Sequence, residues 1–190
     1  MLDFQSVREK KITLQDLVKD LTKDDMRREL NSLYDEILLL IADCTDAHVT
    51  FDPVDEKADD PYAIEGEEEI AWTLGHVIVH LTASMEESAS IASELARGVR
   101  YHGRSRSEIP WRQARTIEYC RARLAESRRM CLASLEMWPD MPYMENTYTP
   151  SQGAIPHTAI SRFASGLKHA SDHLGQIAEI VRQAKESIYR

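Results

Sequence analysis

The stretch Gly166-Leu167-Lys168-His169-Ala170-Ser171-Asp172-His173-Leu174-Gly175-Gln176-Ile177 decides how the rest of the chain is read. It places two histidines four residues apart in a helical pattern. A helix turns about 100° and rises about 1.5 Å per residue, so His169 and His173 project from one face, one turn apart. Two imidazoles so placed can grip one metal ion. A third histidine, His80, lies in a second helical segment, Trp72-Thr73-Leu74-Gly75-His76-Val77-Ile78-Val79-His80-Leu81. With it the pair becomes a three-His site that leaves a coordination position open, as catalysis at a metal requires.

Helical phase tests whether these side chains face the interior. Around His169, the residues Ile160, Phe163, Ala164, Leu167, Ala170, Leu174, Ile177 and Val181 fall on one arc, and Ser161, Ser165, Lys168, Asp172, Glu179 and Lys185 fall opposite. His173 sits on the shoulder of the apolar arc and His169 lies further round, so the pair faces a neighbouring helix or a cleft. On the second segment Leu74, Val77, Ile78, Leu81, Met85, Ala92 and Leu95 mark the core side. His80 is at its shoulder and His76 is about 40° nearer solvent. His76 and His80 form a second pair at the same spacing and leave a four-His site open, but the phase prefers His80 as the ligand and His76 for the rim.

Outward from these segments the chain reads as helices joined by polar loops. Thr13 opens a short helical stretch ending near Leu21. Thr22 caps a first long helix running to about Asp43, with Leu30, Leu33, Tyr34, Ile37, Leu38, Leu40 and Ile41 at helical spacing. A long acidic connection spans Phe51 to Gly66, a length that marks either a functional or a plainly solvated loop. The second helix is expected from Glu67 or Glu68 to Arg97, with Gly98 as its stop signal. The third is expected from about Glu108-Ile109-Pro110-Trp111 to Met137, before Pro139 and Pro142. The fourth is expected from Pro156 to about Ile188. Four long helices with long connections read as an all-α, four-helix bundle, a single domain over residues 1–190.

Composition narrows the function. The 190 residues carry a formal net charge of −9, which argues against nucleic acid and against anionic membranes as partners. The arginines from Arg97 to Arg115 (Arg97, Arg100, Arg104, Arg106, Arg112 and Arg115) read as solvated helix ends and loop. No apolar run is long enough to span a bilayer, and the first residues lack a secretion-signal pattern, so the expected address is cytoplasmic. Cys44, Cys120 and Cys131 form no Cys-x-x-Cys pair and read as small buried residues in a reducing compartment. The chain has no Gly-rich phosphate loop, no Gly-x-Ser-x-Gly elbow, no His-Glu-x-x-His signature and no Glu-x-x-His pair of the di-iron type.

Two of these segments carry a family resemblance. Trp72-Thr73-Leu74-Gly75 leading to His80-Leu81 resembles the second-helix motif of the DinB-like superfamily, the YfiT-like metal-dependent hydrolases and thiol transferases, in which a Trp precedes the first metal ligand by eight residues. His169-Ala170-Ser171-Asp172-His173-Leu174-Gly175-Gln176 resembles the fourth-helix motif, which supplies the other two ligands. The resemblance implies a DinB-like four-helix bundle and a metal triad of His80, His169 and His173. The chain departs from the pattern at Met85, where the family commonly has an acidic residue and where here Glu86 follows. His76 is not a ligand position in the family.

The resemblance also implies a class of chemistry. Members include thiol-dependent S-transferases and an isomerase. A divalent cation lowers the pKa of a bound thiol or water, and neutral imidazoles leave the metal its full charge. The expected function is therefore that of a metal-dependent thiol S-transferase or hydrolase acting on a small molecule, with one divalent ion (zinc, nickel, iron or manganese) and a low-molecular-weight thiol as co-reactant. The alternative is a non-catalytic metal-binding or stress-response interaction protein. A symmetric homodimer is expected, as family members often form one. Two further residues share the ligands' phase. Arg162 lies two turns before His169, where a surface ion pair or an anionic substrate accounts for it. Glu87 lies two turns after His80, where a solvated face or an acid/base role accounts for it.

Overall fold

The computed structural model describes residues 2–56, 58–60, 65–103 and 109–188. It is all-helical: α1 (Phe4–Arg8), α2 (Leu14–Val18), α3 (Lys23–Leu40), α4 (Asp46–Val49), α5 (Leu74–Ala96), a 3-10 turn (Trp111–Gln113), α6 (Ile117–Glu136), α7 (Ala159–Asp172) and α8 (Leu174–Ile188). Among the described residues the only extended pairing is a single antiparallel bridge between Tyr148 and His157. Arg104 and Arg106 of the basic stretch lie outside the described residues; Arg97, Arg100, Arg112 and Arg115 are exposed, as their reading as solvated positions requires.

The starts of these helices are written in threonines. Thr13, Thr22, Thr73, Thr116 and Thr158 each sit in extended backbone at an N-cap and accept a hydrogen bond from a backbone N–H three residues on. At Thr13 and Thr22 an aspartate closes a reciprocal capping box. Three of these caps, Thr73, Thr116 and Thr158, correct the sequence-based boundaries. The second long helix starts at Leu74, not at Glu67 or Glu68. The glutamates instead make a turn, with the Gly66 N–H donating to Glu68 Oε2 at 2.8 Å and the Ile70 N–H to the Glu67 carbonyl at 3.1 Å. The third starts at Ile117 after the 3-10 turn, because the chain leaves helical geometry at Ala114 to cross α5. There a Cβ on Gly75 would lie 2.2 Å from the Ala114 carbonyl oxygen, so only glycine permits the crossing.

α5 is the axis of the molecule. It packs against α6 on one side and α7 on the other, and α3 touches both α6 and α7. Leu74, Val77, Ile78, Leu81, Met85, Ala92 and Leu95, the expected core face, are all fully buried. So are most residues on α5's other faces, because α6 and α7 cover it from both sides. Burial of each large aliphatic side chain stabilises the fold by roughly 1.5–3 kcal/mol. Against α7 the approach is close: a Cβ on Gly166 would meet Ser88 Cβ at 2.6 Å and Met85 Sδ at 2.9 Å. Gly98, with φ of +80°, ends α5 as expected.

The expected fourth helix is divided. α7 starts after the Thr158 cap rather than at Pro156, and it ends at His173, whose N–H closes a tight turn onto the Ala170 carbonyl at 3.2 Å. α8 resumes at once, with the Ile177 N–H donating to the His173 carbonyl at 2.9 Å. Ser161, read as a polar-face residue, is buried, because it serves as the third residue of the Thr158 capping box. The three cysteines are buried, and none is in a disulfide.

Candidate metal centre

His80 comes from the second turn of α5, His169 from the last turn of α7, and His173 from the break between α7 and α8. The fold brings the three together. His80 Nε2 lies 2.8 Å from His169 Nε2, and the ligating nitrogens of all three residues lie within 4.8 Å of one another. Among the described residues this is the group of histidine, cysteine and acidic side chains with metal-site geometry. Metal–nitrogen bonds of about 2.0–2.1 Å hold two ligating nitrogens at most about 4.2 Å apart, so the rings reach one ion with a side-chain adjustment of a few tenths of an ångström.

The surroundings prepare the imidazoles for ligation. His173 Nδ1 lies 2.8 Å from Gln176 Oε1, an acceptor, so Nδ1 carries the proton and Nε2 keeps its lone pair for the centre. Burial, reinforced by the charge that His173 and His80 would carry, pushes the His169 pKa down to about 4. Burial also holds His173 below the ordinary histidine value. Both rings are therefore neutral at physiological pH, the state a metal needs. All three histidines are half-buried, which leaves a route inward.

Trp72 forms one wall. From just before the Thr73 cap its ring lies 4.3 Å from that of His76, 4.6 Å from His80 and 5.9 Å from His173. The helix has to start after Trp72 for this wall to exist. His76 is stacked between Trp72 and Trp111, the latter 4.6 Å away and 5° from parallel, so it braces the wall from outside the group of three. The short N-terminal helix ties down the end of α7: Arg8 Nε donates to Asp172 Oδ1 at 2.6 Å and Arg8 Nη2 to Ser171 Oγ at 2.8 Å. Burial alone would raise the Asp172 pKa, but the hydrogen bonds from Lys168 and Arg8 outweigh it and lower it.

Sequence reasoning missed the lining of the approach. A pocket of about 190 Å³ abuts His173, and Asp55, Asp59 and Asp60 of the long connection line it with Trp72, Ile70 and Gln176. A larger pocket of about 670 Å³ continues from Asp55, Trp72 and Gln176 along Glu179 and Gln183 of α8. The density of acids in that loop was visible in the sequence; its position beside His173 was not. Residues 57 and 61–64 of the same connection lie outside the described residues.

Two other expectations change. Glu87 is buried rather than solvated. Arg162 makes no surface ion pair with a described residue; it is largely buried, and burial lowers its pKa.

A family model, that of the DinB superfamily, matches residues 13–177. The chain belongs to the DinB superfamily. No curated protein and no solved structure matches it. The superfamily motif now has physical content in this member. Trp72 is the wall, Thr73 the cap, Leu74 core, Gly75 the crossing point of Ala114, and His80 a member of the histidine group. Gly175, in the second motif, has no atom near its would-be Cβ, and nothing in the structure explains it.

Proposed function

We propose that this DinB-like protein is a metal-dependent enzyme, a thiol S-transferase or hydrolase acting on a small molecule, with one divalent ion held by His80, His169 and His173. The observation that carries the reading is the convergence of three imidazole nitrogens within 4.8 Å beside an open pocket. A bound cation supplies Lewis acidity, which lowers the pKa of a thiol or water at its open position. The chain's own residues do the rest. Gln176 holds the His173 tautomer, and Trp72 shields one side of the rings from water. The loop carrying Asp55, Asp59 and Asp60 shapes the approach. Imidazole donors suit zinc, nickel, iron and manganese alike.

The same reading takes the chain as a single domain and a symmetric homodimer of cytoplasmic address. Buried cysteines that form no disulfide accord with a reducing compartment, and no helix among the described residues is long and apolar enough to cross a membrane. Light scattering at the monomer mass of 21.7 kDa over a wide concentration range refutes the dimer.

Metal analysis of the purified protein, with titration by zinc, nickel and manganese, tests the centre. About one ion per chain is expected, lost in His80→Ala, His169→Ala or His173→Ala with helical circular dichroism retained. A protein that stays metal-free refutes it. Turnover of an electrophile with a low-molecular-weight thiol, abolished in His169→Ala, supports catalysis. Metal binding without turnover across thiol, ester and amide panels leaves a non-catalytic metal-binding protein.

A further inference from the structure

We infer that the groove between α5 and α7 holds an anion-recognition point at Arg162, so that the site takes a small molecule whose negatively charged oxyacid group lies about 10 Å from its metal-binding atom. This rests on the metal reading proposed above. The helices run antiparallel, with His80 against His169 at one level and Met85 and Ser88 against Gly166 at another. Each therefore carries one stripe along the groove: His80, Ser84 and Glu87 on α5, and His169, Ser165 and Arg162 on α7. These recur at intervals of three or four residues, on one face of each helix. His80, Ser84, His169, Ser165 and Arg162 are all half-buried, while their neighbours toward the core, such as Leu81, Met85, Gly166 and Leu167, are buried. The stripe is thus a polar, solvent-reaching track that begins at the histidine group. It ends seven residues, about 10 Å, further along at Arg162.

The far end is built around an unsatisfied cation. Arg162 Nε is buried with no hydrogen-bond partner, and its guanidinium makes no hydrogen bond or ion pair with any described residue. Its surroundings are two tyrosines and a buried acid. Tyr148 lies beneath it, 5.9 Å from guanidinium carbon to ring centroid, and Tyr101 packs on Tyr148 at 4.0 Å. Glu87 acts on it only through space. The adjacent His157 Nδ1 is likewise buried without a partner, and its backbone is fixed by the bridge to Tyr148. A half-buried guanidinium whose Nε is buried without a partner has its planar fork available for a carboxylate or phosphate, which it binds in bidentate fashion. The structural alternative is a cation that Tyr148 and Glu87 alone compensate.

The test uses cobalt(II)-loaded protein and the thiolate-to-cobalt absorption band. It is titrated with ω-mercaptocarboxylates of increasing chain length, the matching ω-mercaptoalcohols and the matching phosphonates. The expected result is an optimum at the length that spans about 10 Å, with an anion preferred to the alcohol by about tenfold. The better of carboxylate and phosphonate identifies the group recognised. Arg162→Met removes the preference and Arg162→Lys restores part of it, with thermal melts showing that both variants fold. Cobalt and thiol binding with no anion preference at any length overturns this inference and leaves the metal reading standing. Absence of cobalt binding overturns both.

Discussion

Helix α5 carries two polar clusters, six residues apart, built on opposite terms. Toward α6, Glu86 meets Arg123 at 2.5 Å, with side chains only 1% and 8% exposed. Beside them the Tyr34 hydroxyl is 2.8 Å from Ser127 Oγ, and burial raises the Tyr34 pKa. Toward α7, His80 meets His169 and His173, all half-buried, with nitrogens converging beside a pocket. The first cluster pairs its charges inside the core, where Arg123 Nη1 meets Glu86 while Arg123 Nε and Nη2 keep no hydrogen-bond partner. The second gathers three imidazole rings at a place that stays open. Polarity in the interior therefore does not mark a site; convergence with access does.

The sharpest way to break the comparison is at the closed cluster. Glu86→Ala leaves a buried guanidinium without its carboxylate and is expected to cost about 3–5 kcal/mol of stability in urea melts. Replacing both partners by leucine is expected to recover most of that loss, since the pair's attraction does little more than offset its desolvation. A single variant as stable as the wild type shows that the cluster is not closed.

At the open cluster the effect is smaller and depends on pH. The His169 pKa is about 4 in the folded protein, below the ordinary 6.5 that an unfolded chain gives. Between these values the unfolded state binds the extra proton, so the metal-free protein loses stability as pH falls through this window. The contribution is on the order of 2 kcal/mol between pH 8 and pH 5. His169→Leu removes this slope. A wild type and variant with parallel stability–pH curves would falsify the claim that the ring is held neutral.

Gln176 sharpens the contrast further. It lines the approach beside His173 without belonging to the group of three, and it fixes the His173 ring. Gln176→Ala is expected to weaken zinc binding about tenfold, the lower end of the range for partners of ligating histidines. Fold stability without metal should be unchanged. Calorimetric titration of both proteins at one pH reads this directly.

How far the sequence carried these conclusions depended on what kind of physics each residue obeys. The helix periodicity of α3 and α5, the Thr13 and Thr22 caps, the Gly98 stop and the His169–His173 pair are local patterns, legible because spacing decides which face a side chain takes, whereas the choice of His80 over His76 as their partner drew on helical phase and on the family resemblance. What stayed hidden depends on a distant partner. Glu67 and Glu68 look like a helix start until Trp72 is seen to need a place before the helix. Trp111 looks like the first turn of a long helix until Ala114 is seen to cross Gly75. Arg162 and Glu87 share the phase of His169 and His80, and only the antiparallel packing of α5 on α7 buries Glu87 and the Arg162 Nε. The break at His173 carries one weak signal, Gly175, a poor helix former that a continuing helix also tolerates, so the apolar periodicity through Leu174 and Ile177 reads as unbroken.

The smallest effect belongs to His76, and it tests the edge of the open cluster. His76 shares helical spacing with His80, so spacing alone admits it as a ligand. The structure gives its ring to Trp72 and Trp111 instead, at 4.3 Å and 4.6 Å. His76→Ala removes two stacked contacts and is expected to cost about 1 kcal/mol of stability. Zinc affinity should change by less than about threefold. His76→Phe separates the two roles, because phenylalanine keeps an aromatic ring between the tryptophans but offers no nitrogen. If His76 is a brace, Phe restores the stability and tryptophan fluorescence that Ala loses, and both variants bind zinc as the wild type does. If both lose zinc as steeply as His80→Ala, His76 belongs among the ligands, and the centre is a four-His site in which Trp72 stacks on a ligand rather than on a support.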